Sequence, residues 1–376
     1  MSKVFDRKRA LGGLVAALWA QVALTAEPPT LPQKPPVKDD GTMTTVTFDL
    51  PFSSFASEPA RESFVRRLRT PMSMGGGDIA AARRSTDEKL LPQLEYTKSL
   101  YPTRSSKSTI GGVPVETFEP IAGISPLNKD RVLLELHGGG FVAGGGGPGG
   151  AIESVPVAVE GRIKVIAVDY RLAPEHRFPA ASEDVAAVYR ELLKTHRPEN
   201  IGIFGCSAGG MLAGQAVAWF LKEGLPVPGA IGVFCASLHT FAEGDSAQLW
   251  TRMGSVLPIV PPAKPEGFGR TMPYLAGASA TDPLAVPAAS KDVLNQFPPT
   301  IFLTGTRAPE MSGAAQSHLD LRELGVKSEL YLFDGLDHGF FSDAHFPESR
   351  LAFRLIAQFF NEHLGTKRHT ESTTKR

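Results

Sequence analysis

Residues Asn200 to Gly210 read Asn-Ile-Gly-Ile-Phe-Gly-Cys-Ser-Ala-Gly-Gly, and this stretch restricts the fold more than any other. A short apolar β-type segment runs through Gly-x-Ser-x-Gly into a helix-forming run, Met211 to Glu223, which Gly224 is placed to stop. A serine hydroxyl is a poor nucleophile at its own pKa. It needs an adjacent base, and it must project from a turn too sharp for neighbouring side chains. Gly205 and Gly209 leave that room. A glycine-rich turn carrying a solvated serine is the plain alternative, and only the rest of the chain decides between them.

That chain alternates strand and helix. Val113–Phe118, Arg131–Leu136 and Ile163–Val168 read as strands, the last two nearly continuous apolar runs of the kind buried on both faces of a parallel sheet. Helix and strand then follow in turn at 180–194, 201–205, 208–222, 230–236, 300–304, 314–324, 328–333 and 351–364. The pattern predicts an α/β fold with an open, mostly parallel sheet flanked by helices. Before it, 49–102 reads as a helical cap, interrupted at Met72–Gly77, whose apolar positions need something to cover. A second interruption, at about 241–276, carries Trp250, Met253 and the proline-rich Pro258–Pro265 and reads as an insertion completing the cap over a catalytic domain spanning 103–364.

The ends read differently. Lys3, Arg7, Lys8 and Arg9 precede an apolar run from Ala10 to Leu24, then Thr25 and Ala26, the form of a secretory signal cut near Ala26; an uncleaved interfacial anchor is the alternative. The run is too short for a stable membrane span, so a periplasmic or secreted location is expected. Residues 27–48 form a proline-rich linker, and 365–376 a polar, disordered tail. With 376 residues, 42% of them apolar, and zero net charge, the chain is long enough for one large domain with a cap and gives no reason to expect a nucleic-acid partner. A homodimer is compatible with it. The two cysteines, Cys206 and Cys235, end neighbouring strands, either as a disulfide or as two small buried thiols. No cysteine–histidine spacing suggests zinc.

In such sheets ligands bind beyond the carboxyl ends of the strands. After Leu136 comes His137-Gly138-Gly139-Gly140-Phe141. Ester hydrolysis passes through a tetrahedral oxyanion, which backbone N–H groups stabilise without reorganisation. Gly138 and Gly139 fit that need, with the N–H of Ala208 as third donor. His137 itself is read as structural.

Together, His137-Gly-Gly-Gly, Asp169-Tyr-Arg-Leu-Ala-Pro-Glu-His176 with Phe178-Pro-Ala-Ala181, Gly205-x-Ser207-Ala-Gly-Gly210 and His338-Gly-Phe340 resemble the hormone-sensitive-lipase-like (family IV) esterases of the α/β-hydrolase superfamily. The match runs over roughly residues 100 to 364, in order and spacing. The resemblance implies a serine carboxylesterase acting on small apolar acyl esters without metal or cofactor. In it His338 takes the proton from Ser207 and returns it to the leaving alcohol. It also assigns Glu175, His176, Asp184 and a buried Arg171 to bracing the sheet rather than to chemistry.

Two departures stand out. Family members carry an aspartate shortly after the strand matching Thr300–Thr304, where this chain has Ala308. Glu310 is the nearest carboxylate, one methylene longer; water or no acid at all is the alternative, and Asp337 adjoins His338 too closely to reach its Nδ1 easily. Cys206 stands where aspartate is commoner. Without an acid, turnover would fall by about 10⁴-fold while the oxyanion hole still contributes, leaving a weakened enzyme. The alternative is a catalytically weakened α/β-hydrolase that serves as a ligand-binding protein, against which the presence of Ser207 and His338 argues. A dinucleotide reading also competes, since Gly144, Gly146 and Gly149 satisfy G-x-G-x-x-G and Asp169 lies twenty residues on. Those glycines start well after Leu136 instead of opening the turn, and Pro148 sits where a regular helix entrance is expected.

Overall fold

The structure, a computed structural model, describes residues 38–39, 41–43, 49–69, 78–250, 252–253 and 272–366. The expected signal, most of the linker, the centre of the 241–276 insertion and most of the tail lie outside these residues. The chain divides into two units, 1–51 and 52–376. In the first, the described residues include a turn closed by the Gly41 N–H donating to the Lys38 carbonyl at 2.9 Å.

The second unit is built on an eight-stranded sheet of order β1-β2-β4-β3-β5-β6-β7-β8. Its strands are β1 (Thr103–Ile110), β2 (Val113–Pro120), β3 (Val132–Leu136), β4 (Lys164–Val168), β5 (Ile201–Cys206), β6 (Ala230–Phe234), β7 (Thr300–Gly305) and β8 (Ser328–Phe333). β1 and β2 are antiparallel to each other, and β2 is antiparallel to β4; all later pairings are parallel. Strands β3, β5, β6 and β7 are buried throughout, as parallel strands covered on both faces must be.

The helices are α1 (Glu58–Arg69), α2 (Ile79–Leu100), α3 (Pro148–Gly161), α4 (Ala180–Leu192), α5 (Ala208–Lys222), α6 (Gly244–Leu249), α7 (Lys291–Leu294), α8 (Met311–Glu323) and α9 (Pro347–His363). Two apolar cores result, one on each face of the sheet. One joins α4, α5 and α8 through Val185, Tyr189, Leu212, Phe220 and Leu321; the other joins α3 and α9 through Val155, Phe353 and Phe360 and takes in Ala60 of α1 and Leu94 of α2. α5 is apolar all round because it is enclosed, every residue from Ala208 to Phe220 being buried.

Two elements were not foreseen. β1 is a polar edge strand, exposed over its central residues, so it shows no alternation. α3 has the glycine-rich, proline-interrupted sequence Pro-Gly-Gly-Ala-Ile-Glu-Ser-Val-Pro-Val-Ala-Val-Glu-Gly; its burial, not its propensity, holds it helical. Pro148 therefore does not spoil a helix entrance, as expected above. It occupies the first turn, where its missing N–H costs nothing.

Candidate active site

Ser207 sits between β5 and α5 with φ 59° and ψ −121°, a region that costs a non-glycine residue about 1–3 kcal/mol and persists only when the surroundings impose it. They do so through close packing. A Cβ at Gly205 would stand 2.1 Å from the Leu136 carbonyl oxygen, and one at Gly209 only 1.6 Å from it. Only glycines let the start of α5 press against the end of β3. The Ser207 N–H donates to the Phe234 carbonyl at 2.8 Å, tying the bend to β6 as well.

His338 follows β8 in the loop Asp334–Gly339. Its Nε2 lies 2.9 Å from Ser207 Oγ, and its Nδ1 stands 3.1 Å from Glu310 Oε2, off the straight N–H line. Glu310 is fully buried at the start of α8, and its other oxygen, Oε1, accepts the Thr304 hydroxyl at 2.7 Å. The carboxylate nearest the Ala308 position thus does reach the imidazole, while Ala308 itself is buried without a polar side chain to offer. Burial alone would push the His338 pKa down; the Glu310 carboxylate beside the ring, with a smaller contribution from Asp337, outweighs it and raises the pKa above its ordinary value. Asp337 does not face the ring. Its Oδ1 accepts the His338 backbone N–H at 2.7 Å, and Arg67 of α1 approaches its Oδ2 at 3.9 Å. Phe241 stands edge-on to the imidazole, centroids 5.4 Å apart.

The glycine run after β3 lies beside the serine. A Cβ at Gly138 would be 3.2 Å from the Cys206 carbonyl oxygen and 3.5 Å from Ser207 Cβ. Gly139 has φ 109°, and a Cβ there would fall 2.2 Å from the Ala143 oxygen, so the loop exists only with glycine at this position. The carbonyl of Gly139 accepts the N–H groups of Val142 and Ala143. Ala208, the first residue of α5, completes the set. His137 is structural: its ring stacks on Tyr170 at 4.1 Å, its Nδ1 pairs with the Gly138 carbonyl at 2.7 Å, and burial lowers its pKa to about 4, so it is neutral. The Tyr170 hydroxyl donates to the His137 carbonyl at 2.6 Å.

The remaining motif residues brace these loops. Arg171 is not the buried ion-pair partner expected from the sequence. Its side chain is 39% exposed while binding Asp184 and Glu183. Glu175 pairs with Arg83 of α2, and Arg83 also donates to the carbonyls of Val142 and Ala173, so this contact fastens α2 to the glycine-rich loop. Asp169 turns its carboxylate toward the Gly146 N–H, and a Cβ at Gly145 would lie 2.5 Å from its Oδ1. An acidic side chain therefore already faces the crown where a dinucleotide pyrophosphate would lie. Cys206 and Cys235 are free, buried thiols. Sequence reading missed Thr304 and Arg83; a hydroxyl ending an apolar strand just before the acid loop is the one signal that pointed to the former. Among the described residues no helix is long and apolar enough to cross a membrane.

The sequence profile of the alpha/beta hydrolase fold family matches residues 133–342. An acetyl-hydrolase of Streptomyces hygroscopicus is 32% identical over 185 residues, 49% of this chain and 59% of the relative. Of two further curated relatives the chain spans 52% and 56%, little more than half their length. The crystal structure of an esterase E25 superposes with TM-score 0.73 at 28% identity, covering 86% of this chain and 99% of that one. An esterase from the bacterial hormone-sensitive lipase family does so with TM-score 0.69 at 26% identity, over 82% of this chain and 100% of that one. With that family's fold and motif loops around Ser207, the chain belongs to the α/β-hydrolase fold family, on its hormone-sensitive-lipase-like branch.

Proposed function

We propose that this protein is a serine carboxylic ester hydrolase. The observation that carries the reading is the continuous line from Ser207 Oγ through His338 to Glu310, 2.9 Å and 3.1 Å long, ending on a strained bend packed against a glycine loop. Ser207 Oγ attacks the acyl carbon as His338 Nε2 takes its proton. The N–H groups of Gly138, Gly139 and Ala208 hold the resulting oxyanion. The intermediate collapses to an acyl-enzyme as the imidazolium returns the proton to the leaving alcohol, and water, activated by the same histidine, releases the acid. Glu310 fixes the imidazole tautomer and stabilises its charged form. The alternative, a weakened hydrolase acting as a ligand-binding protein, is not favoured by Ser207, His338 and Glu310 standing in line.

The substrate class is small, apolar acyl esters. The acetyl-hydrolase relative supports a short acyl group, and the ring of Phe241 against His338 supplies an apolar wall. Its cap is assigned to α1 and α2 and to the insertion that begins near Phe241. Export through an N-terminal signal cut near Ala26 and action in the periplasm or outside the cell complete the proposal on the strength of residues 3–26. Homodimerisation is supported by β8, an outer strand with Leu332 exposed, since an unpaired edge invites a partner. Labelling by a fluorophosphonate, with p-nitrophenyl esters of increasing acyl length assayed in parallel, tests the chemistry. Labelling that persists in Ser207→Ala, or no turnover of any ester, overturns it. Cell fractionation and light scattering test location and assembly.

A further inference from the structure

Cys235, Glu310 and His338 come from three separate parts of the chain, yet each presents one ligand atom within 4.8 Å of the other two. Cys235 follows β6 with φ 47° and is fully buried beneath the His338 loop. The Gly339 N–H points at its sulfur from 3.2 Å; that contact favours the thiolate, but burial outweighs it and keeps the free group a thiol, so the metal itself must displace the proton. Glu310 Oε2 and His338 Nδ1 face each other without a well-aligned hydrogen bond, so both keep a lone-pair direction to offer once the ring proton leaves Nδ1. A thiolate, an imidazole and a carboxylate form a donor set suited to a borderline-soft divalent cation. In a tetrahedral site with bonds of about 2.0–2.3 Å, ligand atoms stand about 3.3–3.8 Å apart; His338 Nδ1 and Glu310 Oε2 are already that close, and the Cys235 sulfur needs to close by at most about 1–1.5 Å.

We propose that Cys235, Glu310 and His338 form an inhibitory site for zinc or a zinc-like ion. Binding releases the Cys235 thiol proton, and the His338 ring proton passes from Nδ1 to Nε2 as the Nδ1 lone pair takes the metal. With Nε2 now an N–H group, it has no lone pair with which to accept the Ser207 proton. Inhibition rests on the hydrolase reading above; metal binding does not. Because the ion lies on the Nδ1 side of the ring, away from Ser207 Oγ, high substrate concentration does not displace it. Cys206, whose thiol hydrogen-bonds Cys235, is not one of the three converging donors.

The test uses the full chain, titrated with cadmium as the spectroscopic probe and zinc as the inhibitor. One equivalent of cadmium should produce the ultraviolet thiolate-to-cadmium absorption. Saturating zinc should lower p-nitrophenyl acetate turnover by about 10²–10⁴-fold, the usual contribution of a general base, and a chelator should restore it. In Cys235→Ser the absorption should vanish and the metal affinity should fall by more than the roughly 10–100-fold that loss of an outer partner alone causes. Sensitivity is read as the ratio of turnover with and without metal within each variant, so a change in basal rate does not confuse it. Glu329→Gln, in a separate Glu329, Glu362 and His363 cluster, should leave both readouts as in the wild type. A wild-type protein that binds no cadmium, or binds it without the thiolate band, overturns the proposal, as does Cys235→Ser with unaltered zinc inhibition. Metal-free protein that shows the band on titration but hydrolyses no ester would overturn the hydrolase reading while upholding the site.

Discussion

Two sets of carboxylates are sealed inside this molecule, one at the end of β7 and one beneath β3, and the chain treats them in opposite ways. Glu310 has the Thr304 hydroxyl on one oxygen and the His338 imidazole near the other. Glu135, in the middle of β3, has no hydrogen-bond partner for either oxygen, and Glu153 on α3 leaves one oxygen equally bare. Among the described residues no cation pairs with this second set. Burial, with the Glu153 charge adding to it, holds the Glu135 pKa well above the ordinary carboxylate range, and burial lifts Glu153 to about 8. A carboxyl group in a low-dielectric interior either finds a positive partner or keeps its proton. The first solution supplies a charge that a reaction can use; the second only removes a charge that the core cannot hold.

The largest expected effect separates the two sets directly. Glu310→Gln keeps the volume but cannot stabilise an imidazolium, and turnover should fall by as much as about 10⁴-fold, with little loss of stability. Glu135→Gln replaces a neutral acid by a neutral amide and should leave turnover within a few-fold of wild type. Steady-state kinetics on both variants check this. Equal losses would mean that the buried pair under the sheet shares in the chemistry.

Stability against pH gives the next contrast. For Glu153 the folded pKa of about 8 exceeds the unfolded value near 4.5, so the folded state binds the extra proton between these limits. Its favourable contribution is complete below pH 4.5 and is lost as pH rises through about 8. Glu153→Gln should abolish that loss. The variant should gain on wild type in unfolding free energy by about a few kcal/mol between pH 5 and pH 8.5, measured by urea titration at the two pH values. A variant that tracks wild type across this window would show that Glu153 is charged in the folded protein.

Much of this arrangement was legible before any coordinates, for reasons specific to each residue. Gly205, Ser207 and Gly209 were readable because a side chain at either glycine collides with the Leu136 carbonyl, so the chemistry leaves no substitute. Ser328–Phe333 and Ala208–Lys222 matched the strand and helix that the structure shows; the helix's apolar run agrees with its enclosure, whereas the strand was readable from its β-type composition although Leu332 stays exposed. α3 did not, because three-dimensional enclosure overrides the poor helix propensity of its glycines. β1 escaped because an exposed antiparallel edge needs no apolar alternation. Glu310 was legible only as the nearest carboxylate, and what brings it to His338 is the packing of α8's first turn on β7. The convergence of Cys235, Glu310 and His338 has no signature in spacing at all, since the loops that carry them meet only at the carboxyl edge of the folded sheet.

Thr304 is the smaller lever on the same carboxylate. Thr304→Val preserves shape but leaves Glu310 Oε1 buried without its donor, a change worth about 1–3 kcal/mol in stability. Freed of its anchor, the carboxylate no longer holds His338 in register, and kcat should drop by about tenfold, equivalent to about 1.4 kcal/mol, with KM little altered. A fall in KM's favour instead, with kcat intact, would place Thr304 outside the relay.

The acid limb of kcat/KM distinguishes the neighbouring carboxylates most finely. His338 must be neutral to accept the Ser207 proton, so activity falls as pH drops through its pKa, which lies above the ordinary value of 6.5. The Glu310 charge is the larger of the contributions that raise it, and that of Asp337 is smaller. Removing either negative charge destabilises the imidazolium and moves the limb to lower pH. Glu310→Gln should therefore shift the limb further than Asp337→Asn, whose side chain binds the His338 backbone N–H and not the ring. Full pH profiles of the two variants decide the matter: a larger displacement in Asp337→Asn would make the adjacent aspartate the electrostatic partner of the imidazole and reduce Glu310 to packing.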